Sequence, residues 1–118
     1  MTEIKAKTIL IVEDDSAVRT LLTDVLSYNG FNVKSAVSGE EAIQLLKTLE
    51  EVPSLVIIDV KLPKIDGYDL FKRIRQEHPD MKVIYISGYP KIIDEAGTHV
   101  MPKPFSITQI ISRVKELL

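Results

Sequence analysis

The chain has 118 residues, 45% of them hydrophobic, and its 15 basic and 17 acidic side chains give a formal net charge of −2. That length supports one domain over residues 1–118 with a core that needs no staple, and the balanced charge leaves no basic excess to grip a nucleic-acid backbone. Cysteine is absent, Met1 to Lys7 lacks an apolar signal region, and no apolar stretch approaches the ~18 residues of a membrane span; the expectation is a soluble, cytoplasmic protein without membrane or direct nucleic-acid contact.

Thr8-Ile9-Leu10-Ile11-Val12 has the uninterrupted apolar pattern of a strand buried on both faces, and it ends in Glu13-Asp14-Asp15. Val18, Leu21, Leu22, Val25 and Leu26 recur at helical spacing as far as Asn29-Gly30, a helix-ending pair. Phe31 to Ala36 is a more polar strand, as an edge position allows. Ser38-Gly39-Glu40-Glu41 has the form of a capping box ahead of Ala42, Leu45, Leu46 and Leu49 on one helical face. Leu55-Val56-Ile57-Ile58, bounded by Pro53 and Pro63, predicts a buried central strand that stops at Asp59.

Asp66-Gly67 turns the chain into a third helix with Leu70, Phe71 and Ile74 inward, and Pro79 ends it. Val83 to Ile86 predicts a fourth strand, followed by Ser87-Gly88; Thr98 to Met101 predicts a fifth, followed by Pro102-Lys103-Pro104-Phe105. Ser106-Ile107-Thr108-Gln109 repeats the capping-box form before a stripe of Ile107, Ile110, Ile111, Val114 and Leu118. Strands alternating with helices imply right-handed crossovers and an α/β fold whose parallel sheet is covered on both faces.

Ligands collect at the carboxyl edge of such a sheet, and there two strands deliver Glu13-Asp14-Asp15 and Asp59; the plainer alternative for the first cluster is a solvated acidic turn in which Asp15 or Ser16 caps the first helix. Crowded carboxylates raise one another's pKa, a cost that a bound cation removes. An all-oxygen donor set suits Mg²⁺ or Mn²⁺ better than zinc. Lys103, directed by a proline on either side, would reach the same edge. Carboxylates, a divalent cation and a lysine together describe a place that receives a phosphoryl group. Arg19, Lys91, His78 and His99 read as ordinary surface or structural side chains.

Taken in order, Ile11-Val12-Glu13-Asp14-Asp15 with Arg19, Asp59 with Leu62-Pro63 and Asp66-Gly67, Ser87-Gly88 after Val83 to Ile86, and Lys103-Pro104-Phe105 resemble the receiver domains of two-component response regulators. The resemblance runs over the whole chain. It implies a flavodoxin-like (βα)5 three-layer sandwich with a five-stranded parallel sheet in the order 2-1-3-4-5. It further implies that Asp59 accepts the phosphoryl group and that Asp14 ligates Mg²⁺ directly. Glu13 then acts mostly through water, and the backbone carbonyl of Lys61 completes the shell. Ser87 Oγ would donate to a phosphoryl oxygen, and Lys103 would follow the family in preceding a commonly cis proline bond.

The implied partners are a histidine kinase or histidine phosphotransfer domain as donor and a downstream protein as target. The chain is then a phosphoacceptor that assists its own phosphoryl transfer and dephosphorylation, rather than an enzyme. Two departures from the family stand out. Tyr89 to Gly97 leaves room for a fourth helix of little more than one or two turns, and Val100 occupies the place of the family's aromatic switch, three residues before the lysine. Tyr89, which would border the site together with Lys61, is the candidate replacement switch. Three rival readings are a haloacid-dehalogenase-like phosphatase, which would want an acid where Lys61 stands, a nucleotide- or flavin-binding module, which would want a glycine-rich loop after the first strand, and a phosphorylation-independent interaction domain on the same fold.

Overall fold

Isoleucine- and valine-rich strands form the centre of the computed structural model, which describes residues 6–88 and 98–118. The elements run β1 (Thr8–Val12), α1 (Ser16–Tyr28), β2 (Asn32–Ala36), α2 (Gly39–Thr48), β3 (Leu55–Asp59), α3 (Gly67–Glu77), β4 (Lys82–Ser87), β5 (Thr98–Pro102) and α4 (Ile107–Leu117). The strands pair in parallel in the order β2-β1-β3-β4-β5, which is the order that the resemblance implies. The expected short helix between Tyr89 and Gly97, and the switch candidate Tyr89, lie outside the described residues. Among the described residues no helix is long and apolar enough to cross a membrane.

Alternation along the strands divides the core into two layers. Leu10, Val12, Val56, Ile58, Val83 and Tyr85 pack with Ala42 of α2 and with Leu70, Phe71 and Ile74 of α3. Ile9, Ile11, Leu55, Ile57, Ile84 and Ile86 pack instead with Leu22 and Leu26 of α1 and Ile110 and Val114 of α4. β1 and β3 are buried at every residue because helices cover both their faces, whereas edge strand β2 buries only Ala36. That difference is why the first two read as continuous apolar runs and the third does not.

The helix ends follow the sequence signals. α1 closes in a Schellman arrangement, with Gly30 N donating to Ser27 O at 3.0 Å and Phe31 N to Leu26 O at 3.1 Å while Gly30 takes φ +91°. The reciprocal capping box is complete at α4, between Ser106 and Gln109; at α2 the bond formed is that from the Glu41 amide to Ser38 Oγ, 3.2 Å. Ile107, placed in the apolar stripe by its spacing, is 46% exposed, because it heads α4 before the turns that bury Ile110 and Val114.

Gly67 fixes how α3 meets the end of β3. A Cβ at this position would lie 2.7 Å from the Asp59 carbonyl oxygen and 2.8 Å from Val60 Cα, and the Gly67 amide donates to Val60 O at 2.8 Å. Asp66 caps the helix by accepting from the Asp69 amide at 2.9 Å. Only a residue without a side chain lets the helix start press on the strand end. Gly67→Ala should therefore cost about 1–3 kcal/mol through forced backbone displacement. Urea denaturation should show a lower midpoint with an unchanged far-ultraviolet dichroism spectrum.

Candidate functional site

Strand register assembles the site. Val12 pairs with Ile58, Asp59 with Ile86, and Ser87 with Pro102, so Glu13, Asp59, Ser87 and Lys103 come out side by side at the carboxyl edge. Backbone bonds carry the pairing past the strand ends: Val60 N donates to Ile86 O at 3.0 Å and Lys103 N to Ser87 O at 2.8 Å. The resulting cleft, about 770 Å³, is lined by Glu13, Asp14, Asp15, Asp59, Lys61, Ser87 and Lys103 with the neighbouring turns. Every described residue that the sequence singles out for this site is there.

The charges in the cleft are closely set. Glu13 and Asp59 are buried, Asp14 is exposed, and each offers an oxygen within 4.8 Å of the others. Lys103 Nζ lies 2.8 Å from Asp59 Oδ2, and the Lys61 amide donates to Asp59 Oδ1 at 2.9 Å, so both oxygens of Asp59 are held. Glu13 Oε1 accepts from the Asp15 amide at 3.0 Å, while Glu13 Oε2 is buried and accepts no hydrogen bond from any described residue. A buried carboxylate oxygen that accepts no hydrogen bond, beside two further carboxylates, has the chemistry of a metal ligand, and the all-oxygen donor set fits a hard divalent cation.

The electrostatics record the crowding. Burial pushes the Glu13 carboxyl up to about 7; the Asp15 amide opposes this, Asp59 adds to the rise by its charge and as acceptor for a Glu13 proton, and Lys103 partly offsets it. For Lys103, burial works to lower the pKa, but its bond to Asp59 and the charges of Asp59, Glu13 and Asp15 outweigh burial and hold the ammonium above its usual range. The Lys103-Pro104 bond is cis, as the resemblance implies.

Asp15 serves as the N-cap of α1, accepting from the Ala17 and Val18 amides, and so stands outside the carboxylate triad. His78 caps the C-terminus of α3, and His99 lies on β5, where burial and then the Arg113 charge lower its pKa. Arg19, which belongs to the resemblance but reads from the sequence as an ordinary side chain without chemistry, is half-buried against the site. Its Nη1 donates to the carbonyl oxygens of Glu13, at 2.9 Å, and Asp14, at 3.4 Å. The available signal was a cation in the first turn of a helix, where the dipole disfavours it.

Comparison with known proteins agrees with this geometry. Residues 9–115 match the family model described as the response regulator receiver domain. The sensor kinase CckA of Brucella abortus is 38% identical over 117 residues, covering 94% of this chain but 12% of that protein. The chain also spans 49% of a response regulator, MprA of Mycolicibacterium vanbaalenii, at 31% identity and 93% coverage of this chain; it thus spans about half or less of the curated relatives it matches. Among solved structures, TrrA of Thermotoga maritima in complex with Mg²⁺-BeF superposes with a TM-score of 0.81 at 29% identity, covering 95% of this chain and 99% of that one.

The raised Glu13 pKa has a measurable sign. Between the ordinary value of 4.5 and about 7 the folded, metal-free protein holds a proton on Glu13 that the unfolded chain has released. The folded state binds more protons there, so this contribution to stability is complete below 4.5 and falls as pH rises to about 7, at a slope of up to about 1.4 kcal/mol per pH unit. Glu13→Gln, neutral at every pH, should lose that dependence. Urea unfolding in EDTA should therefore show wild type losing stability relative to the variant across this window.

Proposed function

We propose, for a chain that belongs to the response regulator receiver family, that Asp59 is the phosphoacceptor of a histidine-to-aspartate phosphorelay. The carrying observation is the Asp59 carboxylate, buried at the end of β3 with one oxygen on the Lys103 ammonium and the other on the Lys61 amide, beside Glu13 and Asp14. Glu13, Asp14, Asp59 and the backbone carbonyl of Lys61 would hold Mg²⁺, with Mn²⁺ as a substitute, and the ion would offset negative charge on the phosphoryl oxygens.

The chain's own groups then do the positioning. An Asp59 oxygen attacks phosphorus in line, the new O–P bond forms as the P–N bond to the donor histidine breaks, and the imidazole departs with the electron pair. Lys103 follows the transferred charge onto a phosphoryl oxygen, and Ser87 Oγ donates to another. The donor is a histidine kinase or histidine phosphotransfer domain, and the target is a downstream protein met in the cytoplasm. Switching of the output surface would change partner affinity by a coupling of about 1–3 kcal/mol. The protein is in this reading a phosphoacceptor that assists transfer and hydrolysis, not a turnover enzyme.

Incubation with acetyl phosphate and Mg²⁺ should label wild type on Asp59, with labelling abolished by EDTA and by Asp59→Asn. Lys103→Ala should slow labelling roughly 10²–10³-fold, the usual loss when a preset stabiliser of transition-state charge is removed. Peptide mapping by mass spectrometry decides the site, and labelling that persists in folded Asp59→Asn contradicts the assignment.

A further inference from the structure

Arg19 stands in the first turn of α1, and its half-buried side chain reaches back over the turn that precedes the helix. There Nη1 takes the Glu13 carbonyl at 2.9 Å and the Asp14 carbonyl at 3.4 Å. The placement is unfavourable for the helix, since the N-terminal turn carries the positive end of the dipole and here holds no acidic residue. What holds the guanidinium is therefore the pair of carbonyls. These belong to the two residues that contribute two of the three clustered carboxylates.

The turn is tied unevenly. Glu13 is secured by its amide on Ala36 O at 3.1 Å and by Oε1 on the Asp15 amide at 3.0 Å. Asp14 is exposed, and its tie is the carbonyl bond to Arg19. One nitrogen on two successive carbonyls holds the peptide plane after Glu13 firmly, at 2.9 Å, and that after Asp14 more loosely, at 3.4 Å, and so restrains the directions in which both acidic side chains leave the backbone. Charge is a poor account of the arrangement: the groups that move Glu13 are burial, the Asp15 amide, Asp59 and Lys103, and a guanidinium beside the cleft repels a divalent cation.

We propose that Arg19 is a positioning residue that presets the Glu13–Asp14 turn for a divalent cation before the cation arrives, acting through the backbone. This rests on the reading of Glu13, Asp14 and Asp59 as a Mg²⁺ site. The two roles open to Arg19 predict opposite signs. Removing a repelling charge strengthens Mg²⁺ binding; removing a support for the ligands weakens it.

The test is Mg²⁺ titration of the 118-residue chain, followed by amide chemical shifts, for wild type, Arg19→Met and Arg19→Lys. Arg19→Met keeps the apolar stem but neither charge nor donors, and should weaken Mg²⁺ binding roughly 10–100-fold, the usual scale for groups that orient metal ligands. Arg19→Lys keeps the charge and a donor nitrogen but not the planar guanidinium that reaches the carbonyls, and should fall between. Unchanged or tighter binding by folded Arg19→Met overturns the proposal. A second measurement needs no variant: in metal-free wild type, the Asp14 and Asp15 amides should relax like those of β1 and β3, and a turn that becomes ordered only on adding Mg²⁺ overturns it too. Wild type that takes up no Mg²⁺ refutes the underlying site reading, and the inference with it.

Discussion

Parallel register is the constraint on which the cleft depends, because it brings together carboxylates that repulsion would separate. β1 and β3 are buried along their whole length, and each buried isoleucine or leucine contributes about 1.5–3 kcal/mol. A slip of one residue would turn every such side chain to the other face of the sheet. The sheet therefore cannot relax the crowding at its edge by sliding. The cost stays local, at Glu13, where burial first and the Asp59 charge after it raise the pKa, and where Oε2 accepts no hydrogen bond among the described residues.

What keeps that edge from unravelling is a set of contacts past the strand ends. The Val60 and Lys103 amides extend the β3–β4 and β4–β5 ladders beyond the regular strands. Gly67 lets α3 begin against the Asp59 carbonyl. On the loop between them, Ile65 sits where a Cβ on Gly39 would collide with its Cγ2 methyl, and Lys64 pairs with Glu40 at 3.7 Å. The surface pair is worth little by itself. The buried contact is the one that seats the loop against the start of α2.

Much of this was legible because its cause is periodic or local. β1 and β3 read from unbroken apolar runs, Asp59 from its place at the end of one of them, and Lys103 from its flanking prolines. Ser38 and Ser106 read as caps because capping is a short-range interaction. Arg19 did not read, since its partners are backbone carbonyls five and six residues back, across a change from turn to helix, and carbonyls carry no residue signature. The isolation of Glu13 Oε2 was equally hidden: crowding of acids follows from sequence order, but which oxygen finds a donor depends on the turn's geometry. Ile107 was misplaced because spacing gives the face of a helix and not how far along it the packing extends.

Charge balance ties the cleft to the rest of the fold. With all three carboxylates ionised against one ammonium, the cluster carries two excess negative charges, which one divalent cation cancels. In the proposed reading, phosphorylation replaces the single charge of Asp59 with about −1.5 to −2, so negative charge returns at the mouth of the cleft. Asp59 is too buried to follow it, with its side chain 7% exposed, whereas the Lys103 side chain is 34% exposed and has room. The Lys103 amide is bonded to the Ser87 carbonyl, so a shift of the lysine loop is felt at the end of β4. Two residues before Lys103, Met101 packs in the same cluster as Ile110 and Val114 of α4. In that reading the path from the new charge would run along the β4–β5 edge into the closing helix, and the response would develop there rather than at the fully buried β1 and β3.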